Sequence, residues 1–537
     1  TPNNRFEACR DIHFTTRTAL KFYYIINING VQCFMKIKTD IPEEILNIAE
    51  KLREAGFAAY LVGGCVRDLL IGREPNDWDI AADAKPEEIQ KVFAAFAGAT
   101  AAKPATVYEN EFGTVAVKTG SADERLKIVE ITTFRLEGKY TDKRHPDEIK
   151  FAETIEEDLA RRDFTINAAA LDLKSETPDS KFVLIDPFGG LDDLKNKIIR
   201  TVGKPEERFD EDALRLMRAV RFSCQLNFVI ADETAEAIKK KAGLLEAISK
   251  ERIRDELEKI LMTENASSGI QMLEDFNLLR HIMPELREGI NVGQNKHHIY
   301  AVWEHNLRAL DYAAKKNYSL EIRMAALLHD VGKPKTKSGE GPDCTFYGHE
   351  VVGARMAAKI LDNLRFPKSF IESVSHLVRC HLFYYNVGEV TAAGVRRFLS
   401  RVGPENIDNL IKVREADRIG SGVPKAVPYK LRHLLFMIEK VKKDPISPKM
   451  LKVSGEDVMK ILGISPGPRV GWILSILLDE VIEDPRKNER NDLEFRIGEL
   501  GKLSDKELAV SSKKAREKKE EFESGIEEEI KKKYYVK

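Results

Sequence analysis

Residues 61–83, LVGGCVRDLLIGREPNDWDIAAD, combine a glycine turn, an arginine and two aspartates one residue apart. The glycine pair that ends at Gly64 lets the backbone approach a phosphate closely, and Arg67 can offer that phosphate a bidentate fork. Successive side chains of a strand point to opposite faces, so Asp77 and Asp79 share one face while their neighbours enter the core. Paired carboxylates suit Mg²⁺, which serves phosphoryl and nucleotidyl transfer.

Each part of this stretch also has a plain structural interpretation. A pair of glycines is usually only a turn, and an Asp-x-Asp pair is more often a solvated strand edge than a metal site. Their order and spacing together favour the chemical interpretation. Glu130, in the strand predicted over 126–134, is a candidate third carboxylate.

A second motif, RFDEDALRLMRAVRF (208–222), overlaps a helix predicted over 211–224 that could recognise a base. On one helix Glu211, Asp212, Arg215 and Arg218 are three or four residues apart, so acceptors and donors project side by side. Cytosine and adenine each carry an amine donor next to a ring-nitrogen acceptor. Asp212 could accept from the amine while Arg215 donates to the ring, selecting CTP and ATP. The alternative is a surface salt bridge.

A third motif, ARRDFTINAAALD (160–172), places two adjacent arginines before an aspartate. Arg161 and Arg162 could contact triphosphate or ribose, and Asp163 could hold these arginines in place. By itself such a triplet is usually a solvated helix face.

Taken together, the three motifs resemble the class II tRNA nucleotidyltransferase and bacterial poly(A) polymerase family of the polymerase β superfamily. The resemblance extends over about residues 41–501, and the segment 132–151 is similar to the flexible loop of that family. It implies that Asp77 and Asp79 are catalytic and bind Mg²⁺, with tRNA, CTP and ATP as partners. The nucleotide site that it implies consists of Gly64, Arg67, Arg161, Arg162, Glu211, Asp212, Arg215, Arg218 and Arg221.

Most of the 11 histidines fall between His297 and His381. The ordered series His305, His329–Asp330 and Asp417 resembles an HD phosphohydrolase domain, and it implies that these four residues are metal ligands. Imidazoles with carboxylates suit a second divalent metal such as Ni²⁺, Mn²⁺ or Zn²⁺. His349 and His381 are expected to contact a further metal or a phosphate, whereas His297, His298 and His376 are expected to have no role in the site. In that family the fused HD domain is associated with 2′,3′-cyclic phosphodiesterase, 2′-nucleotidase and phosphatase activities.

The composition fits a large protein of the reducing cytoplasm. With 86 basic and 87 acidic residues the net charge is −1, so RNA has to be bound by a local basic face. Candidate faces are two groups of basic residues: Lys239, Lys240, Lys241, Lys250, Arg252 and Arg254, and further along Lys425, Lys430 and Arg432. The 6 cysteines form no CxxC pair, and no apolar run is long enough for a membrane span. No protein partner can be inferred.

The predicted fold class is an α+β polymerase-β-like nucleotidyltransferase palm with a small mixed sheet, followed by an all-α neck, an HD domain and a tail. Met35 is expected to be the natural start of the chain. The predicted domains are an irregular N-terminal extension (1–34), the palm (35–190), a helical neck with nucleotide-recognition and RNA-binding elements (191–280), the HD domain (281–425), a helical C-terminal RNA-binding body (426–503) and a charged tail (504–537).

Several functions remain open from the sequence. The leading hypothesis is template-independent addition and repair of the tRNA CCA end. A CC-adding enzyme is disfavoured because the 132–151 loop looks complete, and a poly(A) polymerase because YENEFGTVAVK (108–118) is more similar to the tRNA enzymes. An A-adding enzyme stays possible, as does a protein that is mainly a metal-dependent phosphohydrolase. An RNA-binding protein with a decayed palm is disfavoured, since no catalytic position is lost.

Overall fold

The computed structural model describes residues 23–28, 31–36, 41–96, 106–108, 113–137, 149–173, 181–295, 299–387, 390–441 and 448–515. The chain divides into two compact units, the first formed by residues 1–252 and 275–278 and the second by 253–274 and 279–537. All described strands lie in the first unit. They are β1 (Tyr23–Ile28), β2 (Val31–Lys36), β3 (Ala59–Val62), β4 (Asp79–Ala82), β5 (Thr106–Tyr108), β6 (Thr114–Lys118), β7 (Ile128–Thr133), β8 (Arg135–Glu137), β9 (Ile149–Phe151), β10 (Ala170–Asp172), β11 (Lys181–Ile185), β12 (Ile198–Ile199) and β13 (Val229–Ile230).

Nine of these strands form one mixed sheet in the order β2-β1-β11-β10-β3-β4-β7-β6-β5. The pairs β1/β11 and β4/β7 are parallel and the other pairs in the sheet are antiparallel. The mixed sheet was predicted, but it has more strands than the small sheet expected. The prediction that residues 1–34 are irregular is wrong for 23–28 and 31–34, because these residues pair in β1 and β2 and extend the sheet beyond β11.

The helices of the first unit cover the sheet and continue beyond it. They are α1 (Glu43–Glu54), α2 (Gly64–Ile71), α3 (Pro86–Phe96), α4 (Ile155–Ala160), α5 (Gly190–Asn196), α6 (Pro205–Glu211), α7 (Arg215–Leu226) and α8 (Asp232–Lys241). The core beneath α1 and α3 contains Ile45, Leu52, Leu61, Ile80 and Ile131, each completely buried. This packing fixes the strands that carry the candidate carboxylates.

The described residues of the second unit form helices and connecting loops, with one isolated β-bridge between Ser338 and Thr345. Its helices begin with α9 (Lys250–Leu261), whose first residues belong to the first unit, and continue with α10 (Ala266–Asp275), α11 (Leu279–Ile282), α12 (Pro284–Arg287), α13 (Val302–Lys315), α14 (Leu320–Leu328), α15 (Lys333–Thr336), α16 (His349–Asn363), α17 (Lys368–Cys380), α18 (Ala392–Val402), α19 (Ile407–Gly420), α20 (Tyr429–Val441), α21 (Gly455–Leu462), α22 (Pro468–Glu483) and α23 (Arg490–Leu500). Among the described residues, no helix has both the length and the apolar character that crossing a membrane requires.

Several segments that the sequence analysis singled out are only partly described. The ends of the predicted flexible loop form the hairpin β8/β9, and its residues 138–148 lie outside the described residues. His297 and His298 also lie outside them, as do residues 109–112. In the tail, residues 505–515 are helical.

Candidate functional site

The glycine turn between β3 and α2 is shaped by two side chains that approach it. Gly63 has φ of +76°, which L side chains rarely adopt. A Cβ atom added there would lie 2.8 Å from Nη1 of Arg162 and 3.7 Å from Oδ2 of Asp79. A glycine is therefore required at this position for the arginine and the carboxylate to meet beside the turn.

The two candidate catalytic aspartates flank a buried tryptophan, as the strand period predicts. Trp78 and Ile80 are 5% and 0% exposed, whereas Asp77 is exposed and Asp79 is half-buried at the start of β4. Burial raises the pKa of Asp79 above its ordinary value, the Arg162 charge opposes this, and the nearby Asp77 charge raises it further. Two carboxylates that repel each other fit a hard cation such as Mg²⁺, which would remove that repulsion.

Glu130 lies on the neighbouring strand. The parallel pairing of β4 with β7 aligns Asp79 with Glu130 and brings both residues to one face of the sheet. Asp77, Asp79 and Glu130 are not among the groups of three ligand atoms that lie within 4.8 Å of one another in the described part of the chain; both of those groups belong to the histidine cluster of the second unit.

The adjacent arginines are held by a residue that sequence reasoning missed. Asp158, which is 1% exposed, accepts from Nε and Nη2 of Arg161 at 2.9 and 2.7 Å and from Nη2 of Arg162 at 3.2 Å. Burial alone would raise the pKa of Asp158, but these two guanidinium groups hold that pKa below its ordinary value. Asp158 is three and four residues before the arginines, a helical spacing that could have identified it.

The prediction that Asp163 holds Arg161 and Arg162 is therefore wrong. Its Oδ2 accepts from Nε and Nη2 of Arg218 at 2.8 and 2.6 Å, and its Oδ1 accepts from Asn167. Burial alone would raise its pKa, but Arg218 and Arg215 lower the pKa of Asp163 to about 2. Asp163 thus positions α7, which begins in the motif at 208–222.

The helix predicted over 211–224 begins only at Arg215, which is a second correction. Helix α6 ends at Glu211, Asp212 is extended (φ −136°, ψ 106°), and α7 begins at Arg215. The cause is local: the Asp212 carboxylate accepts from the backbone N–H of Leu214 at 3.0 Å, a turn that competes with the helix. The four residues expected on one helix therefore lie on two helices and the turn between them.

The proposed base-reading pair is separated by this break. Oδ2 of Asp212 accepts from Arg252 at 2.9 Å. Arg215 is 7% exposed and donates to Glu211 at 2.6 Å and to the carbonyl oxygen of Arg161 at 3.1 Å. Arg215 therefore joins α7 to the end of α4.

Three of the predicted nucleotide-binding arginines surround one aromatic ring. The guanidinium carbons of Arg67, Arg218 and Arg221 lie 5.4, 5.3 and 4.2 Å from the centroid of Phe222. Arg67 follows Gly64 as predicted, but its fork is occupied by Asp68, and its Nη1 donates to Asn167 at 2.9 Å. Phe222 is a further residue that the sequence reasoning missed.

The second unit brings the four predicted HD residues together from three helices. His305 lies on α13, His329 and Asp330 follow α14, and Asp417 lies on α19. Nε2 of His305 is 2.8 Å from Nε2 of His329, 3.1 Å from Oδ2 of Asp330 and 3.3 Å from Oδ1 of Asp417. All four residues are at least nine-tenths buried, with exposures of 0%, 0%, 1% and 7%.

His349 and His381 complete a second group that shares Asp330. Their Nε2 atoms lie 3.4 and 3.7 Å from Oδ1 of Asp330, while Oδ2 of the same carboxylate faces the first group. Asp330 is therefore placed to bridge two ligand groups.

Backbone carbonyls fix the orientation of three of these imidazoles. Nδ1 of His329, His349 and His381 lies 2.8, 2.7 and 2.7 Å from the carbonyl oxygen three residues earlier. A carbonyl oxygen only accepts, so each Nδ1 carries a proton and each Nε2 is directed into the cluster. This arrangement is typical of metal-binding histidines.

The charges of the cluster also fit a cation. Burial alone would lower the pKa of His329, but Asp330 and Asp417 raise that pKa to about 10. Burial, with His329 and His349 nearby, lowers the pKa of His381 to about 3. The buried carboxylates of Asp330 and Asp417, together with the neutral imidazole of His381, form a donor set suited to a borderline divalent metal.

Two basic side chains accompany the HD carboxylates and were missed from the sequence. Nζ of Lys333, which is 5% exposed, lies 2.6 Å from Oδ2 of Asp330 and donates to Gln294 at 2.6 Å. Arg414 pairs with Oδ2 of Asp417. Each cation is three residues from its carboxylate, which is the spacing that would have identified it.

Comparisons with known proteins give matches to three successive parts of the chain. Residues 59–200 match the family model described as the poly A polymerase head domain, 227–290 match a probable RNA and SrmB-binding site of polymerase A, and 302–421 match the HD domain. The fold and the two sites thus define a nucleotidyltransferase with an HD domain.

The relatives identify the family. A CCA-adding enzyme of Ligilactobacillus salivarius is 48% identical over 248 residues, and the match spans 56% of that protein's length. An A-adding tRNA nucleotidyltransferase of Deinococcus radiodurans is 34% identical over 78% of this chain and 91% of its own. A CCA-adding enzyme of Enterococcus faecalis is 33% identical over 86% and 97%. The chain belongs to the tRNA nucleotidyltransferase family, which confirms the predicted enzyme class.

A solved structure supports the same conclusion. The CCA-adding enzyme of Bacillus stearothermophilus in complex with CTP is 29% identical, with a TM-score of 0.63 over 85% of this chain and 96% of that chain. The predicted fold class is confirmed.

Proposed function

We propose that the protein adds and repairs the 3′-terminal CCA of tRNA, using CTP and ATP without a nucleic-acid template. The observation that carries the proposal is that Asp79, two residues after Asp77, and Arg162 both approach the Gly63 turn. Such a site combines cation ligands, a close backbone approach and a positive charge, which a triphosphate requires. The CCA-adding relatives, and the relative solved with CTP, support the choice of substrates.

The palm residues have distinct roles in this proposal. Asp77 and Asp79 would hold Mg²⁺, whose chemistry there is to lower the pKa of the RNA 3′-hydroxyl and to neutralise the triphosphate. Arg162 would bind phosphate oxygens beside Gly63, and Asp158 would keep Arg161 and Arg162 in place. Glu130, level with Asp79, is the candidate third carboxylate.

Nucleotide selection is assigned to Asp212 and Arg215. Asp212 would accept from the exocyclic amine of cytosine or adenine, and Arg215 would donate to the ring nitrogen. To reach the ring nitrogen, Arg215 must give up its present hydrogen bond to Glu211 or its hydrogen bond to the carbonyl oxygen of Arg161. Arg218 and Arg221, grouped with Arg67 around Phe222, complete the predicted nucleotide site.

The test is incorporation of CTP and ATP onto tRNA transcripts that end before CCA, after C, or after CC, followed by 3′-end sequencing. We expect all three transcripts to be extended to CCA and no further. Addition of long A tails would instead indicate a poly(A) polymerase, and termination at CC a CC-adding enzyme. Asp79→Asn should lower incorporation about 1,000-fold or more while tRNA binding persists; normal incorporation by Asp77→Ala or Asp79→Asn would reject the assignment.

A-adding activity is a second candidate, favoured by the similarity to the A-adding relative over 91% of its length. An A-adding enzyme would extend only the CC-ended transcript, with ATP alone. The same assay therefore separates the two functions.

We also propose a phosphohydrolase activity at the HD cluster, supported by the convergence of His305, His329, Asp330 and Asp417. These residues would hold Ni²⁺, Mn²⁺ or Zn²⁺, which activates water against a phosphoester. Lys333 and Arg414 lie where they could bind phosphate oxygens. Metal-dependent hydrolysis of 2′,3′-cyclic nucleotides that is lost in Asp330→Ala would support this activity, and its absence with all three metals would oppose it.

We propose that the palm, predicted over 35–190, also includes β1 and β2, and we retain the other predicted boundaries: neck (191–280), HD domain (281–425), C-terminal body (426–503) and tail (504–537). The three family matches support the order of the first three. A role in tRNA maturation is consistent with the cytoplasm as the place of action.

A further inference from the structure

Helix α20 carries an exposed row of aromatic and basic side chains. Leu431, Leu434 and Ile438 are buried where α20 packs against α18. On the opposite face Tyr429 and Phe436 are each 62% exposed. Large aromatic side chains with that exposure leave an apolar surface without a protein partner in the described part of the chain.

The row is continuous and held in place. The ring of His433 stands between the two aromatic residues, with centroid distances of 6.1 Å to Tyr429 and 6.0 Å to Phe436. Nδ1 of His433 is 2.5 Å from the hydroxyl of the buried Tyr385, and Nζ of Lys430 donates to Asn386 at 2.5 Å. The segment after α17 therefore fixes one side of the row.

The charge around the row is positive. Lys430, Arg432 and Lys440 are exposed on α20, against a single exposed acidic residue, Glu439. Arg432 and Lys440 have no ion pair among the residues that the structure describes. Since the whole chain has a net charge of −1, this local excess is unusual for its surface.

The other candidate RNA-binding face from the sequence differs in this respect. Lys241 pairs with Asp210 at 2.6 Å, Arg252 with Asp212 at 2.9 Å, and Arg254 with Asp255 at 2.7 Å. Three of the six basic residues of the neck face are thus paired within the protein, whereas Arg432 and Lys440 on α20 have no ion pair among the described residues.

We propose that this face of α20, defined by Tyr429, Arg432, His433, Phe436 and Lys440, binds unpaired nucleotides of the RNA substrate. Aromatic side chains stack on exposed bases, and neighbouring cations bind the phosphates. Tyr429 and Phe436 are about 10 Å apart along the helix axis, more than the roughly 3.4 Å between stacked bases of one strand. The spacing suits splayed, single-stranded nucleotides better than a duplex. This inference rests on the proposed function for its RNA, a tRNA.

The test uses the double variant Tyr429→Ala/Phe436→Ala of the full chain and measures the Kd for tRNA ending in CC. We expect the Kd to rise about 30-fold or more, because each lost base stack costs about 1 kcal/mol or more, with an unchanged salt dependence. The Kd for a blunt RNA duplex should change less than twofold. The control is Val510→Ala, which removes another exposed apolar side chain (49% exposed) outside the predicted RNA-binding body and should leave both Kd values unchanged.

A charge variant separates stacking from phosphate binding. Arg432→Gln/Lys440→Gln should reduce the slope of log K against log salt by about 1.4, as expected for the loss of two contacts to single-stranded phosphates. An unchanged Kd in the aromatic variant would overturn the inference, as would a change equal for tRNA and duplex. Loss of a dimer in the variant, with unchanged RNA binding, would identify the face as a contact between copies and also overturn it.

The outcomes are independent of the proposed reaction. If the parent extends tRNA to CCA and the variant binds normally, only this inference fails. If the parent binds tRNA but incorporates no nucleotide, the proposed function fails, and the two Kd values still decide on α20.

Discussion

At the residue scale, both sites rely on buried carboxylates that are neutralised by a small number of basic side chains. Asp158 serves Arg161 and Arg162, Asp163 serves Arg218, and Lys333 lies against Asp330. Removing one partner of a buried pair leaves an uncompensated charge, which is costly in a medium of low polarity. The strongest single-residue effects are therefore expected at these pairs.

Asp163→Asn tests the pair between Asp163 and Arg218. The folded pKa of about 2 lies below the ordinary value of 3.8, so the charged carboxylate stabilises the fold above pH 4, and this contribution is lost as the pH falls from about 4 to 2. We expect a loss of about 2 kcal/mol at pH 7, shrinking toward pH 3, in urea unfolding. Asp192→Asn, at an exposed side chain, is the control. A pH-independent difference would contradict the prediction.

Lys333→Met tests the cation beside the HD carboxylate. Without the ammonium group the charge of Asp330 loses its nearest positive partner, and we expect the metal-free protein to lose about 3 kcal/mol of stability. Added Mn²⁺ should then stabilise the variant more than the parent, because a bound cation no longer meets a repelling charge. Thermal unfolding with and without Mn²⁺ measures both effects. Lys335→Met, half-exposed and paired with Glu288, should behave like the parent.

At the element scale, close backbone contacts set the position of the helices that carry ligands. A Cβ atom at Gly332 would lie 2.3 Å from the carbonyl oxygen of His349 and 2.6 Å from the backbone nitrogen of Gly353. The segment after Asp330 and the first turn of α16 can meet only because residue 332 is glycine. The second ligand group depends on this contact.

Gly332→Ala should push α16 away and separate His349 from Asp330. We expect a loss of about 2 kcal/mol or more in stability, together with weaker Mn²⁺ binding in calorimetry. Gly498→Ala is the matched control, since nothing lies within 4 Å of a Cβ atom there on α23. The control should be neutral or gain up to about 1 kcal/mol. Equal metal affinity in Gly332→Ala and the parent would contradict the assigned role.

At the scale of the whole molecule, the two candidate sites lie in different compact units. The carboxylates of the palm and those of the HD cluster have separate partners, and no described side chain belongs to both sites. Each proposed reaction is therefore expected to depend on its own residues.

A pair of variants tests this separation. Asp79→Asn should abolish nucleotide incorporation and keep metal-dependent hydrolysis within about twofold of the parent, and Asp330→Ala should do the reverse. Both reactions are measured on the same preparations, with metal content as a check. If one variant abolished both activities while remaining folded, the sites would not be independent.

The sequence by itself determined the local features of this protein. The two-residue period of a strand predicted that Trp78 is buried between Asp77 and Asp79, and turn preferences predicted the Gly63–Gly64 turn. The order of His305, His329–Asp330 and Asp417 indicated an HD domain, because residue types and spacing are properties of the chain itself.

Only the tertiary structure decided which distant groups meet. It directed Asp163 to Arg218, which is 55 residues further along the chain, and it added β1 and β2 to the sheet. It also paired Asp212 with Arg252 on α9, which is 40 residues further along the chain. Each of these pairings is one of several that the sequence allows. The packing of the folded chain decides between them, because the partners are far apart in the sequence and no local pattern relates them.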